Sequence, residues 1–385
     1  MTLPTWTAPR QIPVSILTGF LGAGKTTLLN RLIRDPWLAD AAVIINEFGD
    51  IGIDHLLVEK SGDGIIELAD GCLCCTIRGE LVDTLADLMD RLQSGRIRPF
   101  NRVVIETTGL ADPVPVMQSV IGNPALGQSY RLEGVATVVD AVNGEATLDA
   151  HPEARRQVAV ADRLVLAKQR LAGDTAAIKA RLQALNPLAP LLDGDDPAIG
   201  AANLFDCGAY DPARRSIDVA LWLSSENQAH DNGHGHGHVH GHGHVHGHGH
   251  GHHDVNRHDD RIRAHGFRSA QPISPSALGM FLDLLRSAHG PNLLRMKGIV
   301  VLSDDRMRPV IVHAVQSLLA EPVRLAAWPE GAAQESRLVL ITRDMPEGFV
   351  EELYAAFSDV PAIGRPDSAA LMDNPLAIPG TGPRR

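Results

Sequence analysis

The sequence predicts an α/β protein: a parallel sheet flanked by helices, followed by a smaller α+β C-terminal domain. Three observations predict it. In the N-terminal half, runs rich in Val, Ile and Leu alternate with helical patterns, the order expected of strands joined by crossover helices. A glycine-rich stretch ending in Lys25-Thr26 separates the first apolar run from the first helical one. After a histidine-rich interruption, a shorter set of strand and helix patterns resumes near Phe267.

The strands expected in the first set are Val14–Thr18, Ala42–Asn46, Ile65–Leu68, Val103–Thr107, Val135–Asp140 and Leu164–Ala167. Their near-continuous apolar character fits strands covered on both faces. Thr26–Ile33, Glu80–Leu92 and Thr175–Leu185 read as helices. In the second set, Ser276–Ala288 and Pro346–Phe357 read as helices, and Gly298–Leu302, Val310–His313 and Arg337–Thr342 as strands. The expected organisation is a sheet domain over 11–206, a linker over 207–266, a C-terminal domain over 267–357 and an unfolded Pro/Gly/Ala-rich tail over 358–385. Within the linker, Asn232–His253 is a Gly/His tract. Alternating glycine makes its ordering entropically costly, so it is expected to be disordered.

Composition excludes several classes. A net charge of −11 over 385 residues disfavours a nucleic-acid partner. No apolar stretch reaches membrane-spanning length. The apolar segment Ile12–Leu21 runs into the glycine-lysine motif rather than a cleavage site, so it is not read as a leader. Of four cysteines, three lie between 72 and 75, too close together to staple a fold. They read as a metal or redox site in a reducing compartment, the cytoplasm.

Gly19-Phe-Leu-Gly-Ala-Gly24-Lys25-Thr26 matches the phosphate-binding loop of P-loop nucleotide hydrolases, with a strand before it and a helix after it. Gly22, Ala23, Gly24, Lys25, Thr26 and Thr27 are the expected phosphate-binding residues. Glycines let backbone N–H groups converge on phosphate oxygens, and the helix N-terminus adds its positive dipole end. Lys25 is expected to reach the β- and γ-phosphates and Thr26 to hold Mg²⁺ through its hydroxyl. Val103-Val-Ile-Glu106-Thr-Thr-Gly109 delivers a carboxylate at a strand end. Glu106 is a candidate for the Mg²⁺ shell or for positioning the attacking water, and Gly109 for donating its N–H to the γ-phosphate. Lys25, Thr26 and Glu106 are thus the expected catalytic group.

Gly71-Cys72-Leu73-Cys74-Cys75 places three thiols within four residues. They can converge on one soft cation where the backbone turns, and thiolates select Zn²⁺, Cu⁺ and similar ions. Three sulfurs leave one tetrahedral position open, which suits a site that must release its ion. A Cys72/Cys75 redox pair and buried incidental thiols are the alternatives. The segment Asn46-Glu47-Phe-Gly-Asp50 through Asp54 and His55 reads as a switch that senses the γ-phosphate, with Glu47 lending the metal a ligand. Twelve histidines between His230 and His253 would bind ions without a fixed geometry, as a store.

Together these motifs resemble the CobW/YjiA group of P-loop GTPases, relatives of the hydrogenase and urease metal-insertion GTPases. The resemblance runs over residues 11–357 apart from the His tract. It is carried by Thr18–Asn30, Asn46–Asp50, Gly71–Cys75, Glu106–Pro113, Leu294–Gly298, His313 with Gln316, and Trp328-Pro329. It implies GTP with Mg²⁺ as the nucleotide, Zn²⁺ or Co²⁺ as cargo, and transfer to a metal-requiring client protein coupled to hydrolysis. It also implies that Lys168 packs along the base. Oligomeric state is left open, a homo-oligomer included. The group's switch ends in Glu where this chain has Asp50. Its base-reading segment is Asn or Thr, Lys, any residue, Asp; here it is Ala167-Lys168-Gln169-Arg170, and arginine has no acceptor for guanine N–H groups. A metal sensor or store with vestigial hydrolysis, and a kinase-like phosphotransferase, are the rival functions.

Overall fold

The computed structural model describes residues 11–45, 77–208, 262–328, 332–346 and 348–358. In the first domain, six strands form one sheet: β1 (Ile12–Gly19), β2 (Ala41–Ile45), β3 (Arg102–Glu106), β4 (Tyr130–Asp140), β5 (Arg163–Ala167) and β6 (Leu191–Asp193). Their order is β2-β3-β1-β4-β5-β6, and every pair is parallel. The helices are α1 (Lys25–Leu32), α2 (Ile77–Gln93), α3 (Val114–Gly122), α4 (Gly144–Ala150), α5 (Pro152–Val160), α6 (Gln169–Ala172), α7 (Ala176–Leu185) and α8 (Ala201–Phe205).

Strand periodicity sends alternate side chains to opposite faces. Val14 and Ile16 of β1 pack with Leu85 and Leu88 of α2 and Met117 of α3. Leu17 packs on the other face with Leu28 and Leu29 of α1 and Phe205 of α8. Because the strands are parallel, the C-terminal ends of β1, β3, β4 and β5 share one edge of the sheet. Open α/β sheets bind ligands at that edge.

The second domain is an antiparallel sheet with two helices. It contains β7 (Ile262–Ser269), α9 (Pro275–His289), β8 (Leu293–Val300), β9 (Val310–Val315), β10 (Leu318–Leu319), β11 (Val323–Arg324), β12 (Ser336–Arg343) and α10 (Phe349–Ser358). The sheet order is β10-β9-β8-β12-β7, with β11 on β9. Ser274 caps α9, its Oγ accepting the Ala277 N–H at 3.1 Å, and Pro275 follows at the first helical position. One face of this sheet packs Leu338 and Leu340 on Phe281, Leu285 and Tyr354. The opposite face packs Ile299, Ile311, Val339 and Ile341 on Val114, Ala159, Val160 and Leu188 of the first domain. The C-terminal sheet is therefore sandwiched between its own helices and the end of α5.

The ordered part of the second domain begins before Phe267, inside the stretch read as linker. β7 starts at Ile262 and pairs with β12 along its whole length, from Ser269↔Ser336 to Ile262↔Arg343. It is an edge strand, and the charges of Arg263 and Arg268 with Gly266 between them break the apolar run that marks a buried strand. The predicted strand Ile65–Leu68, the Gly/His tract and the tail lie outside the described residues. Among the described residues, no helix is long and apolar enough to cross a membrane.

Candidate nucleotide site

The loop after β1 has the backbone that its glycines permit. Gly22 and Gly24 adopt φ of 70° and 100°, in the left-handed region. Gly24 is the N-cap of α1 and supplies no side chain, and the first turn holds no acidic residue. The leading N–H groups of α1 are thus left to an incoming anion. Gly19 is required by close packing, since a Cβ there would stand 2.3 Å from Val138 O on β4.

Lys25 folds back over the loop, and its Nζ donates to Gly19 O at 3.0 Å and Phe20 O at 3.4 Å. Thr26 Oγ1 donates to Glu106 Oε1 at 2.7 Å. Glu106 is buried at the end of β3, and Thr107 beside it ties β3 to β1, its Oγ1 donating to Thr18 Oγ1 at 2.8 Å. An adjacent hydroxyl and carboxylate form a hard-oxygen pair of the kind Mg²⁺ takes, so the residues present fit a magnesium nucleotide. Gly109 lies against the loop as well: a Cβ there would stand 2.6 Å from Leu21 N. Lys25, Thr26, Glu106 and Gly109, singled out separately in the sequence, meet at one edge of the sheet.

Lys168 joins them from β5. Its Nζ donates to Gly22 O at 2.6 Å and pairs with Asp140 Oδ2 at 2.9 Å. Burial alone would raise the Asp140 carboxyl. Hydrogen bonds from Lys168, from the Asn143 side chain and from the Val142 and Asn143 backbone outweigh it, and the group titrates below its ordinary value. Lys168 takes φ of 60°, unusual for a side chain with a Cβ. Asp195 holds it there: Oδ1 accepts the Lys168 N–H at 2.9 Å and Oδ2 the Arg170 N–H at 3.1 Å. Sequence reasoning missed Asp140 and Asp195. Asp140 had a signal, an acid closing an apolar strand as Glu106 does. Asp195 sits beyond β6 and had none.

A cavity of about 300 Å³ adjoins the loop, bounded by Phe20–Ala23, the end of β4, α4 and α5. Phe20 stacks on His151 at 4.4 Å between ring centroids on one wall. Cys72, Cys74, Cys75 and Glu47 lie outside the described residues, as does the rest of the Asn46–His55 switch. Among the described residues, no group of three His, Cys, Asp or Glu is arranged to hold a metal ion. The fourth cysteine, Cys207, is buried, with its Sγ 3.3 Å from Leu204 O.

Comparison with known proteins bears on both domains. Residues 13–193 match the model of the CobW/HypB/UreG nucleotide-binding domain, and 262–359 that of the cobalamin synthesis protein cobW C-terminal domain. The chain is 32% identical to the zinc chaperone YjiA of Escherichia coli over 350 residues, 90% of this chain and 98% of that one. It is 28% identical to the zinc chaperone CobW of a Sinorhizobium species, covering 90% and 97%. To the zinc-regulated GTPase metalloprotein activator 1 of Schizosaccharomyces pombe it is 36% identical, covering 71% and 66%. The solved structure of Zn(II)-bound YjiA GTPase superposes with a TM-score of 0.66 at 26% identity, over 91% of this chain and 99% of that one.

Proposed function

Since the chain belongs to the CobW/HypB/UreG family of P-loop GTPases, we propose that it is a zinc chaperone whose GTP hydrolysis drives release of the ion to a metal-requiring client protein. The observation that carries the nucleotide half is the Thr26–Glu106 hydrogen bond of 2.7 Å beneath a glycine loop already spanned by Lys25. Relatives named as zinc chaperones support the metal half.

In this mechanism Lys25 leaves the Gly19 and Phe20 carbonyls to neutralise the β- and γ-phosphates. The α1 N-terminus and the loop amides from Gly22 to Thr27 hold the phosphate oxygens. Thr26 and Glu106 would hold Mg²⁺, which neutralises charge developing on the transferring phosphoryl group. Gly109 donates its N–H towards the γ-phosphate, and Lys168 supports the base along its aliphatic stem. Cys72, Cys74 and Cys75, with Glu47, bind Zn²⁺ or a similar transition-metal ion, Co²⁺ included. Thiolates that must stay reduced support a cytoplasmic location.

The test is zinc release from the loaded protein to a chromophoric chelator. Release should be slow with GDP, slow with a non-hydrolysable GTP analogue, and fast during GTP turnover. Equal release in all three states would remove the coupling and leave a metal store.

A further inference from the structure

Gln157 lies on α5, 1% exposed, and its Nε2 donates to Gly109 O at 3.2 Å and Ala111 O at 2.9 Å. Both acceptors belong to the turn after β3, which rests on Leu21 of the phosphate loop. Two carbonyls fix the amide's orientation, because a flipped side chain would set its own oxygen against them. Oε1 has no partner among the described residues, so the donation to the turn accounts for where this side chain sits.

The last turn of α5, to which Gln157 belongs, is also bound from the second domain. The last carbonyls of a helix need outside donors. Gln157 O accepts from Thr137 Oγ1 at 2.8 Å. Val158 O, Ala159 O and Ala161 O accept from Asn186 Nδ2 at 2.7, 3.3 and 3.0 Å. Val160 O accepts from Arg295 Nη1 of β8, whose Nη2 also bonds Asp162 Oδ1. Of these five carbonyls, Val160's alone is capped across the domain boundary. A guanidinium also suits the negative end of the helix dipole. Gln157 and Val160 are less than one helical turn apart, about 4.5 Å of rise.

We infer that α5 is a coupling element: Gln157 positions the Gly109–Ala111 turn for the γ-phosphate, and Arg295 ties the same helical turn to the C-terminal sheet. When the turn moves to meet nucleotide, α5 must follow or lose two hydrogen bonds, and β8 is fastened to α5. Linkage makes the effect reciprocal, so a ligand that distinguishes the two states of the C-terminal domain changes nucleotide affinity. This concerns the nucleotide switch alone and holds with or without bound metal.

The test uses the full-length, metal-free protein. Hydrogen exchange of Leu293–Val300 is compared with GDP and with a non-hydrolysable GTP analogue plus Mg²⁺, alongside GTPase kinetics. The native protein should show different exchange in the two states. Gln157→Met keeps the volume but cannot donate. It should abolish that difference and lower kcat about tenfold with KM unchanged. Arg295→Lys keeps the charge but loses the fork that spans Val160 and Asp162, and should abolish the difference too. In a double-mutant cycle the two losses in kcat should fall well short of multiplying. If Gln157→Met does not fold, the exchange measurement on Arg295→Lys decides. No nucleotide dependence at β8 in the native protein, a dependence that survives either change, or fully multiplicative losses would each overturn the inference.

Discussion

Arg295 of the C-terminal sheet closes an ion pair on Asp162 of the nucleotide-binding sheet, and both side chains are 0% exposed. Asp162 Oδ2 also accepts the Val135 N–H at 3.0 Å, and Lys297 Nζ approaches Oδ1 at 3.7 Å. A buried pair of this kind is a poor source of net stability but is costly to break from one side. Arg295→Met should therefore destabilise the protein by about 3–5 kcal/mol, because it strands a buried carboxylate. Adding Asp162→Asn should recover part of the loss. Chemical denaturation of the two variants and the native protein checks both statements. A single variant within 1 kcal/mol of native, on the order of ordinary surface changes, would show that Lys297 suffices.

Lys25→Ala should lower GTP turnover by at least about a hundredfold, since the ammonium faces charge that grows in the transition state. In the empty loop its Nζ donates to the Gly19 and Phe20 carbonyls, so a thermal melt of the empty protein reads the loss of these bonds apart from the loss of turnover. Phosphate release and a thermal melt separate the two effects. Unchanged turnover would remove the loop from catalysis.

Replacing Cys72, Cys74 and Cys75 together by Ser should abolish tight zinc binding while GTP affinity stays within about threefold. Serine keeps the size but lacks the easily ionised thiolate, and the residues assigned to the phosphates, Gly22 to Thr27 and Gly109, are separate from these three in the sequence. Zinc content after dialysis against a weak chelator is the measurement. An equimolar ion that survives the triple change would put the site elsewhere, with the Gly/His tract the next place to look.

The Asp140–Lys168 pair gives an expectation in acid. The folded carboxyl titrates below its ordinary value, so its contribution to stability is fully present above the unfolded pKa of about 4 and is lost as pH falls through the lower folded value. Asp140→Asn should lower stability at neutral pH and flatten the acid limb of the stability profile. The two proteins should converge as pH falls through the folded value. Parallel profiles across the whole range would mean that the pair contributes nothing.

What the sequence made legible is contiguous chemistry. The loop from Gly19 to Thr26 and the strand ending in Glu106 are local patterns, and their meeting at 2.7 Å follows from two parallel strands side by side. β-rich runs buried on both faces were equally plain. α3 was not: Val114–Gly122 is apolar nearly all round and rich in valine, with no polar face to give a helical period. Short α4 and α5, jointed at His151, hid for lack of length. The contacts that join the domains were beyond reach for another reason. Arg295 and Asp162 are 133 positions apart, and nothing local to either marks a partner. The thiol site and the switch fall outside the described residues.

Arg170 carries the last prediction, because the base-reading segment departs from the family pattern at the residue that pairs with guanine. Guanine presents N–H donors on that edge. An aspartate accepts from both, in charge-assisted bonds, whereas an arginine meets donors with donors. Asp174, a candidate substitute four residues on, is committed elsewhere: its Oδ1 accepts the Ala176 N–H at 2.9 Å at the start of α7. Asp195 reaches the segment instead, but each of its carboxylate oxygens already accepts a backbone N–H there, and Arg170 Nη2 donates to its carbonyl at 3.2 Å. Its part is to shape the loop, so Asp195→Ala should weaken GTP and ATP binding together. Arg170→Asp should instead sharpen the preference for GTP over ATP by roughly ten- to a hundredfold, the worth of a hydrogen bond to a charged group. Side-by-side titration of both nucleotides distinguishes the two outcomes. A native protein that already prefers GTP strongly, and gains nothing from Arg170→Asp, would show that backbone groups or Asp195 read the base.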